Sequence, residues 1–187
     1  LAALRAADVT LLHVVGGGDY YHAYPGYQRA VSLAGPAPQL PQMPSNPALE
    51  ELRRFRASKV FVGAHNRADT DAGFRHLDFP AIAQPQGEEG IAEDAHQLAA
   101  LCLDAGINHL IYAGFAINWC LLMSPGGMVD MSRRGVICSA LRQAVTAVEN
   151  KESARTQAHK EEALWRVALA FGFIFDVNNL ITQVKTL

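Results

Sequence analysis

The sequence predicts an α/β protein of three layers, with helices on both faces of a mostly parallel central sheet. Three observations carry that expectation. Short apolar runs rich in β-branched and aromatic residues recur at Val9 to Val15, Lys59 to Gly63, Leu110 to Ala113, Gly135 to Cys138 and Phe173 to Phe175, each of strand length. Between them apolar residues return at helical spacing, most clearly at Ala95, Leu98, Leu101, Cys102 and Ala105. No internal repeat and no Gly/Ser-rich linker divides the 187 residues, so 1–187 reads as a single domain with a substantial core.

Composition narrows the function classes. Half the residues are hydrophobic, 18% are charged and the formal net charge is -2, a balance that points away from nucleic acid and from acidic membranes as partners. No apolar run is long enough to span a bilayer. The three cysteines, Cys102, Cys120 and Cys138, form neither a CxxC motif nor a Cys/His cluster, which predicts reduced thiols, a cytoplasmic setting and no structural metal. No cofactor is expected.

Leu1 to Ala7 reads as the tail of a helix, and Val9 to Val15 as a core strand after Asp8. A βαβ unit would place another strand ahead of that helix, so the first strand is expected to be missing upstream of Leu1. Gly16, Gly17 and Gly18 could cradle a phosphate, but an aromatic loop follows rather than a helix, and a permissive turn is the simpler reading. Residues 16–58 read as a long irregular insertion rich in Pro and Tyr, punctuated by Pro25, Pro36, Pro38, Pro41, Pro44 and Pro47. Its rings, Tyr20, Tyr21, His22, Tyr24 and Tyr27, could line a pocket, meet a second subunit or simply anchor the loop.

Within that insertion Ser45 or Asn46 could cap a helix from Pro47 to about Arg56. After the Lys59 to Gly63 strand, Ala64 to Asp71 should be a polar surface loop; it carries metal-ligating residue types without a ligand spacing. The helix over Ala95 to Ala105 has Glu93 and Asp94 in its first turn and Gly106 as its stop, and it turns Cys102 toward the core. Ser124-Pro125 can begin a short helix. Gly135 to Cys138 reads as a strand, and Leu141, Ala144, Val145 and Val148 as a helix. A further helix runs from about Thr156 to Phe171, with Trp165 off its apolar stripe. A last strand at Phe173 to Phe175 and a terminal helix over Val177 to Val184 complete the chain.

The stretch with chemistry in it is His109 to Gly127, HLIYAGFAINWCLLMSPGG. Leu110 to Ala113 forms a strand that Gly114 ends, and Asn118 can cap a short helix carrying Trp119, Cys120, Leu121 and Leu122. Cys120 therefore falls in the first turn after a strand, where unpaired backbone N–H groups favour a thiolate and could hold an oxyanion. A small buried hydrophobe is the competing reading of a free cysteine.

Gly114-Phe115-Ala116-Ile117-Asn118-Trp119-Cys120-Leu121 resembles the Gly-x-x-Thr-x-x-Cys-Val element of the isochorismatase-like cysteine hydrolases. The resemblance implies a Rossmann-like α/β/α fold, self-association, and hydrolysis of a small molecule, foremost at an amide carbon–nitrogen bond. It implies Cys120 as nucleophile of an Asp, Lys, Cys triad and a cis peptide ahead of the Thr position. It further implies an oxyanion hole from the backbone N–H groups of Ile117 and Cys120, with Phe115, Asn118 and Trp119 touching substrate. Three departures stand out. Ile117 replaces the Thr; no lysine lies between Lys59 and Lys151, and counting back to the family's lysine reaches Glu88 and Glu89; the family's Asp would precede Leu1. A non-catalytic protein that uses the fold for ligand binding or assembly is the alternative.

Overall fold

The computed structural model of the chain describes residues 1–60 and 65–186. It opens with helix α1 (Ala2–Ala6), and the chain then turns through Asp8, whose φ is +55°. Strand β1 is shorter than the apolar run: among the described residues Leu12–Val14 pair with a neighbour, running parallel to β2 (Gly90–Ala92) in the register Leu12↔Gly90, His13↔Ile91 and Val14↔Ala92.

The insertion is more regular than expected. Pro25 opens helix α2 (Pro25–Ala34) from its first turn, with extended Tyr24 before it and Gly35 at φ +63° closing it. A proline breaks a helix from within but suits its start, so irregular chain begins only at Gly35. Gly26 and Ala30 face inward, and α2 lies across β2 and the helix that follows β2. At Gly26 the approach is closest: a Cβ there would stand 1.9 Å from the Glu89 carbonyl oxygen.

Helix α3 (Ala48–Lys59) follows the proline segment and buries none of its residues. Asn46 acts near its start, its side-chain oxygen accepting from the Ala48 N–H at 3.0 Å. Lys59 ends α3, so the strand expected at Lys59 to Gly63 does not begin there; the rest of that run, from Phe61, lies outside the described residues. The expected polar loop is largely helical, as α4 (Arg67–Phe74), with Asp69 in its first turn.

Helix α5 (Ala95–Asp104) forms as its pattern requires. Asp94 accepts from the Gln97 N–H at 2.8 Å, and Leu98, Leu101 and Cys102 are buried. Strand β3 (His109–Phe115) pairs in parallel with β4 (Ile137–Thr146), which pairs in parallel with β5 (Ile174–Phe175). Helices α6 (Cys120–Met123) and α7 (Met128–Ser132) join β3 to β4; the second starts after the Ser124-Pro125 turn rather than within it. Helix α8 (Ala158–Ala170) joins β4 to β5, and α9 (Val177–Val184) follows.

Where a helix is expected over Leu141 to Val148, Leu141 to Thr146 instead form the second half of β4, and Val148 lies just beyond its end. Its i, i+3, i+4 spacing is real, but a ladder with β3 on one side and β5 on the other recruits the segment, and Val145 is buried. The extra length is taken up opposite Gly114, where the β3–β4 register shifts.

The architecture is α/β with parallel strands throughout and helices on both sides, arranged as two sheets, β1-β2 and β3-β4-β5, around a shared core. Leu12 and Ala92 of the first sheet join the same cluster as Leu110, Cys138 and Ala140 of the second. Burial is uneven across the pair. Every residue of β2 is buried, whereas Val14 on β1 is 43% exposed and Ile111 and Phe115 on β3 are 39% and 64% exposed. Helix α1, tethered to β1, packs on α9, which packs on β4, so α1 spans from one sheet to the other. Among the described residues no helix is long and apolar enough to cross a membrane.

Candidate active site

At the carboxyl end of β3 the chain makes an elbow. Gly114, at φ +123°, lies within the strand rather than ending it, and the register shift beside it turns the chain out of the ladder. The Phe115–Ala116 peptide is cis, one residue ahead of Ile117, where the resemblance places such a bond. Ala116 and Ile117 are fully buried and fasten the elbow to the core.

Hydrogen bonds then fix each residue. The Ile117 N–H donates to the Thr146 carbonyl of β4 at 2.8 Å, and the N–H groups of Trp119 and Leu121 both donate to Ala116 O, at 3.0 and 3.1 Å. Asn118 does not cap the helix. Its side-chain amide donates to Val148 O and accepts from Val148 N–H, both at 2.9 Å, tying the elbow to the chain leaving β4. Trp119 takes the cap position, and Cys120 is the first residue of α6.

Two consequences follow for chemistry. The Ile117 N–H is occupied and is not available to an oxyanion, whereas the N–H groups of Ala116 and Cys120 have no acceptor among the described residues. Cys120 is exposed, while Cys102 and Cys138 are buried. Burial pushes the Cys102 thiol up, and it pushes Cys138 up to about 11 against a hydrogen bond with Tyr112. The two core thiols are therefore held protonated at neutral pH, and Cys120 is the accessible sulfur. Phe115 and Trp119 of the same elbow are exposed as well, 64% and 57%.

No protein-family model matches this chain, and no curated protein matches it by sequence. Among solved structures it is similar to a cysteine hydrolase from Pseudomonas syringae pv. phaseolicola 1448A, with a TM-score of 0.55 and 15% identity over 99% of this chain and 76% of that one. It is also similar to an isochorismatase-like hydrolase from Alkaliphilus metalliredigens, with a TM-score of 0.48 and 16% identity over 92% of this chain and 96% of that one. The chain shares the α/β fold of the Pseudomonas protein.

Two acidic positions bracket the short strand β2, Glu88 and Glu89 before it and Glu93 after it. Glu88 and Glu89 stand at the amino end of β2, ahead of its first residue, Gly90. Glu89 accepts from Arg5 Nε at 2.7 Å and Arg5 Nη2 at 2.9 Å, from Gln86 N–H at 3.1 Å, and meets His13 Nε2 at 2.8 Å. The Arg5 hydrogen bonds lead in holding its carboxyl down at about 2, against the effect of burial. It is a structural knot joining α1, β1 and β2.

The residue that follows β2 is Glu93. Its carboxylate accepts from Tyr21 at 2.9 Å, Tyr27 at 2.8 Å and Gln97 Nε2 at 3.1 Å. Burial opposes its ionisation, but the donors from Tyr27, Tyr21 and Gln97 outweigh it and lower its pKa. The reverse holds for Tyr21, which burial and the Glu93 carboxylate push up to about 12. Tyr20 and Tyr24 stack edge-on against Phe79. The aromatic loop is thus anchored to its own domain. Glu93 escaped the sequence because β2 is three residues long, too short for a period to show.

Gly16 to Gly18 lead into a turn, and the next helix begins only at Pro25, so no helix start faces that loop. Among the described residues no group of three or more His, Cys, Asp or Glu is placed to hold a metal.

Proposed function

We propose that the chain is a cysteine hydrolase of small molecules that cleaves an amide carbon–nitrogen bond through a covalent intermediate on Cys120. The observation that carries this reading is the exposed thiol at the strand-to-helix elbow, whose own backbone N–H has no acceptor among the described residues. The Cys120 sulfur, as thiolate, attacks the carbonyl carbon, and the developing oxyanion takes a hydrogen bond from the Cys120 N–H. Collapse breaks the carbon–nitrogen bond, and the amine leaves with a proton from water. Water then attacks the thioester, releasing a carboxylic acid and the free thiol. Phe115 and Trp119 offer the substrate apolar surface, and Asn118 holds the elbow in place.

A second reading, a non-catalytic protein that binds a ligand or assembles through this fold, draws on Glu93. At the strand end where the resemblance calls for a lysine stands a carboxylate engaged by three donors, and it supplies no positive charge to a thiolate.

The readings separate on one experiment. With 4-nitrophenyl acetate as acyl donor, the hydrolase should give a burst of nitrophenolate and an acetyl adduct on Cys120 that water releases. Iodoacetamide at neutral pH should label Cys120 about tenfold or more faster than the unfolded chain. Both signals should vanish in Cys120→Ala. Labelling no faster than in the denatured protein, with no acetyl adduct, would leave the binding protein.

A further inference from the structure

We propose that the cleft between the elbow and α8 is a binding site for a small zwitterion, a free amino acid with an apolar side chain. The cleft, about 170 Å³, has Trp119 and Leu122 on one wall and His159, Glu162, Ala163 and Arg166 on the other. The four α8 residues recur three and four apart, so they share one helix face. Leu122 and Ala163 are buried and form an apolar floor; Trp119 offers its indole at the rim.

The polar groups are set rather than loose. Asn150 Oδ1 accepts from the N–H groups of Glu152 and Ser153, both at 2.9 Å, which fixes the amide so that Nδ2 faces His159 Nε2 at 3.2 Å. An amide nitrogen only donates, so Nε2 is the acceptor and the His159 proton sits on Nδ1. That N–H has no partner among the described residues. The helix start is itself pinned, because the Glu149 carboxylate accepts from His159 N–H at 3.2 Å and Lys160 N–H at 3.0 Å.

Charge decides the ligand class. Arg166 and Glu162 form an exposed i, i+4 pair, Nη2 to Oε1 at 2.6 Å, a kind of contact that contributes little and yields readily. It leaves other guanidinium N–H groups and the second carboxylate oxygen unused. A simple anion in the cleft would meet Glu162, and a simple cation would meet Arg166. A molecule with both groups satisfies both walls: its carboxylate takes Arg166 and His159 Nδ1–H, and its ammonium takes Glu162 and the face of Trp119. The volume is below that of drug-sized pockets, typically about 300 Å³ or more, and suits such a molecule. The site needs nothing from the Cys120 thiol.

Trp119 reports its occupancy once Trp165, the second of two tryptophans, is changed in Trp165→Phe. In that background L-leucine should change the emission saturably. N-acetyl-L-leucine, lacking the ammonium, and L-leucinamide, lacking the carboxylate, should bind about tenfold or more weaker. Arg166→Ala and Glu162→Ala, checked for folding by circular dichroism, should each abolish the response to L-leucine, while Cys120→Ala keeps it. Equal binding of all three probes, no saturable change with any, or an undiminished response in the folded Arg166→Ala and Glu162→Ala variants would overturn the assignment. Binding that survives loss of acyl transfer separates this site from the hydrolase reading.

Discussion

Glu89→Gln should lower unfolding stability by about 3 kcal/mol at neutral pH, the order expected when a largely buried charge pair loses one member. The Glu89 and Arg5 side chains are 14% and 19% exposed, so the guanidinium left behind would be poorly compensated by water. The sign with pH is a second signature. Folding lowers the Glu89 pKa from 4.5 to about 2, so its contribution is complete above 4.5 and is lost as pH falls through about 2. Urea denaturation across this range should show the native chain losing stability with acid and the Gln variant lacking that component. Parallel curves for the two proteins would mean that the knot does not hold α1, β1 and β2 together.

Gly26→Ala should be comparably severe, about 3 kcal/mol or more, for a reason unrelated to charge. The added methyl would sit 1.9 Å from the Glu89 carbonyl oxygen, and the obstacle is backbone that cannot swing aside. Relief requires α2 to back away from β2. That movement would stretch the Tyr21 and Tyr27 bonds to Glu93 and uncover Ala30. A urea midpoint for Gly26→Ala matching the native one would sink the argument. Gly35→Ala, at the exposed end of the same helix, has open space around its Cβ and is the control for its own positive φ.

Much of the fold was legible in the sequence, and the errors have common causes. The α5 helix was plain because its apolar period runs uninterrupted between Asp94 and Gly106. The second half of β4 was misread because Leu141, Ala144, Val145 and Val148 carry a helical period by chance of spacing, and pairing on both edges overrides it. The opening of α2 was obscured by Pro25, since a proline reads as a breaker unless its place in the first turn is known. At the elbow, the position of Cys120 was readable from strand-then-turn order. The engagement of Ile117 by Thr146 and of Asn118 by Val148 was not, since the partners come from the end of β4 and the chain leaving it, which neighbour β3 only in space.

The break between the two sheets has a mechanical meaning. Among the described residues, β1-β2 and β3-β4-β5 share no ladder of amide bonds and meet through the common core and through the packing of α1 on α9 and of α5 on α7. Such a molecule should open like a book along its spine, one leaf loosening before the other, rather than melt as a block. Native-state hydrogen exchange would register this as two protection classes, with the amides of β2 and α2 exchanging together, apart from those of β4 and α8.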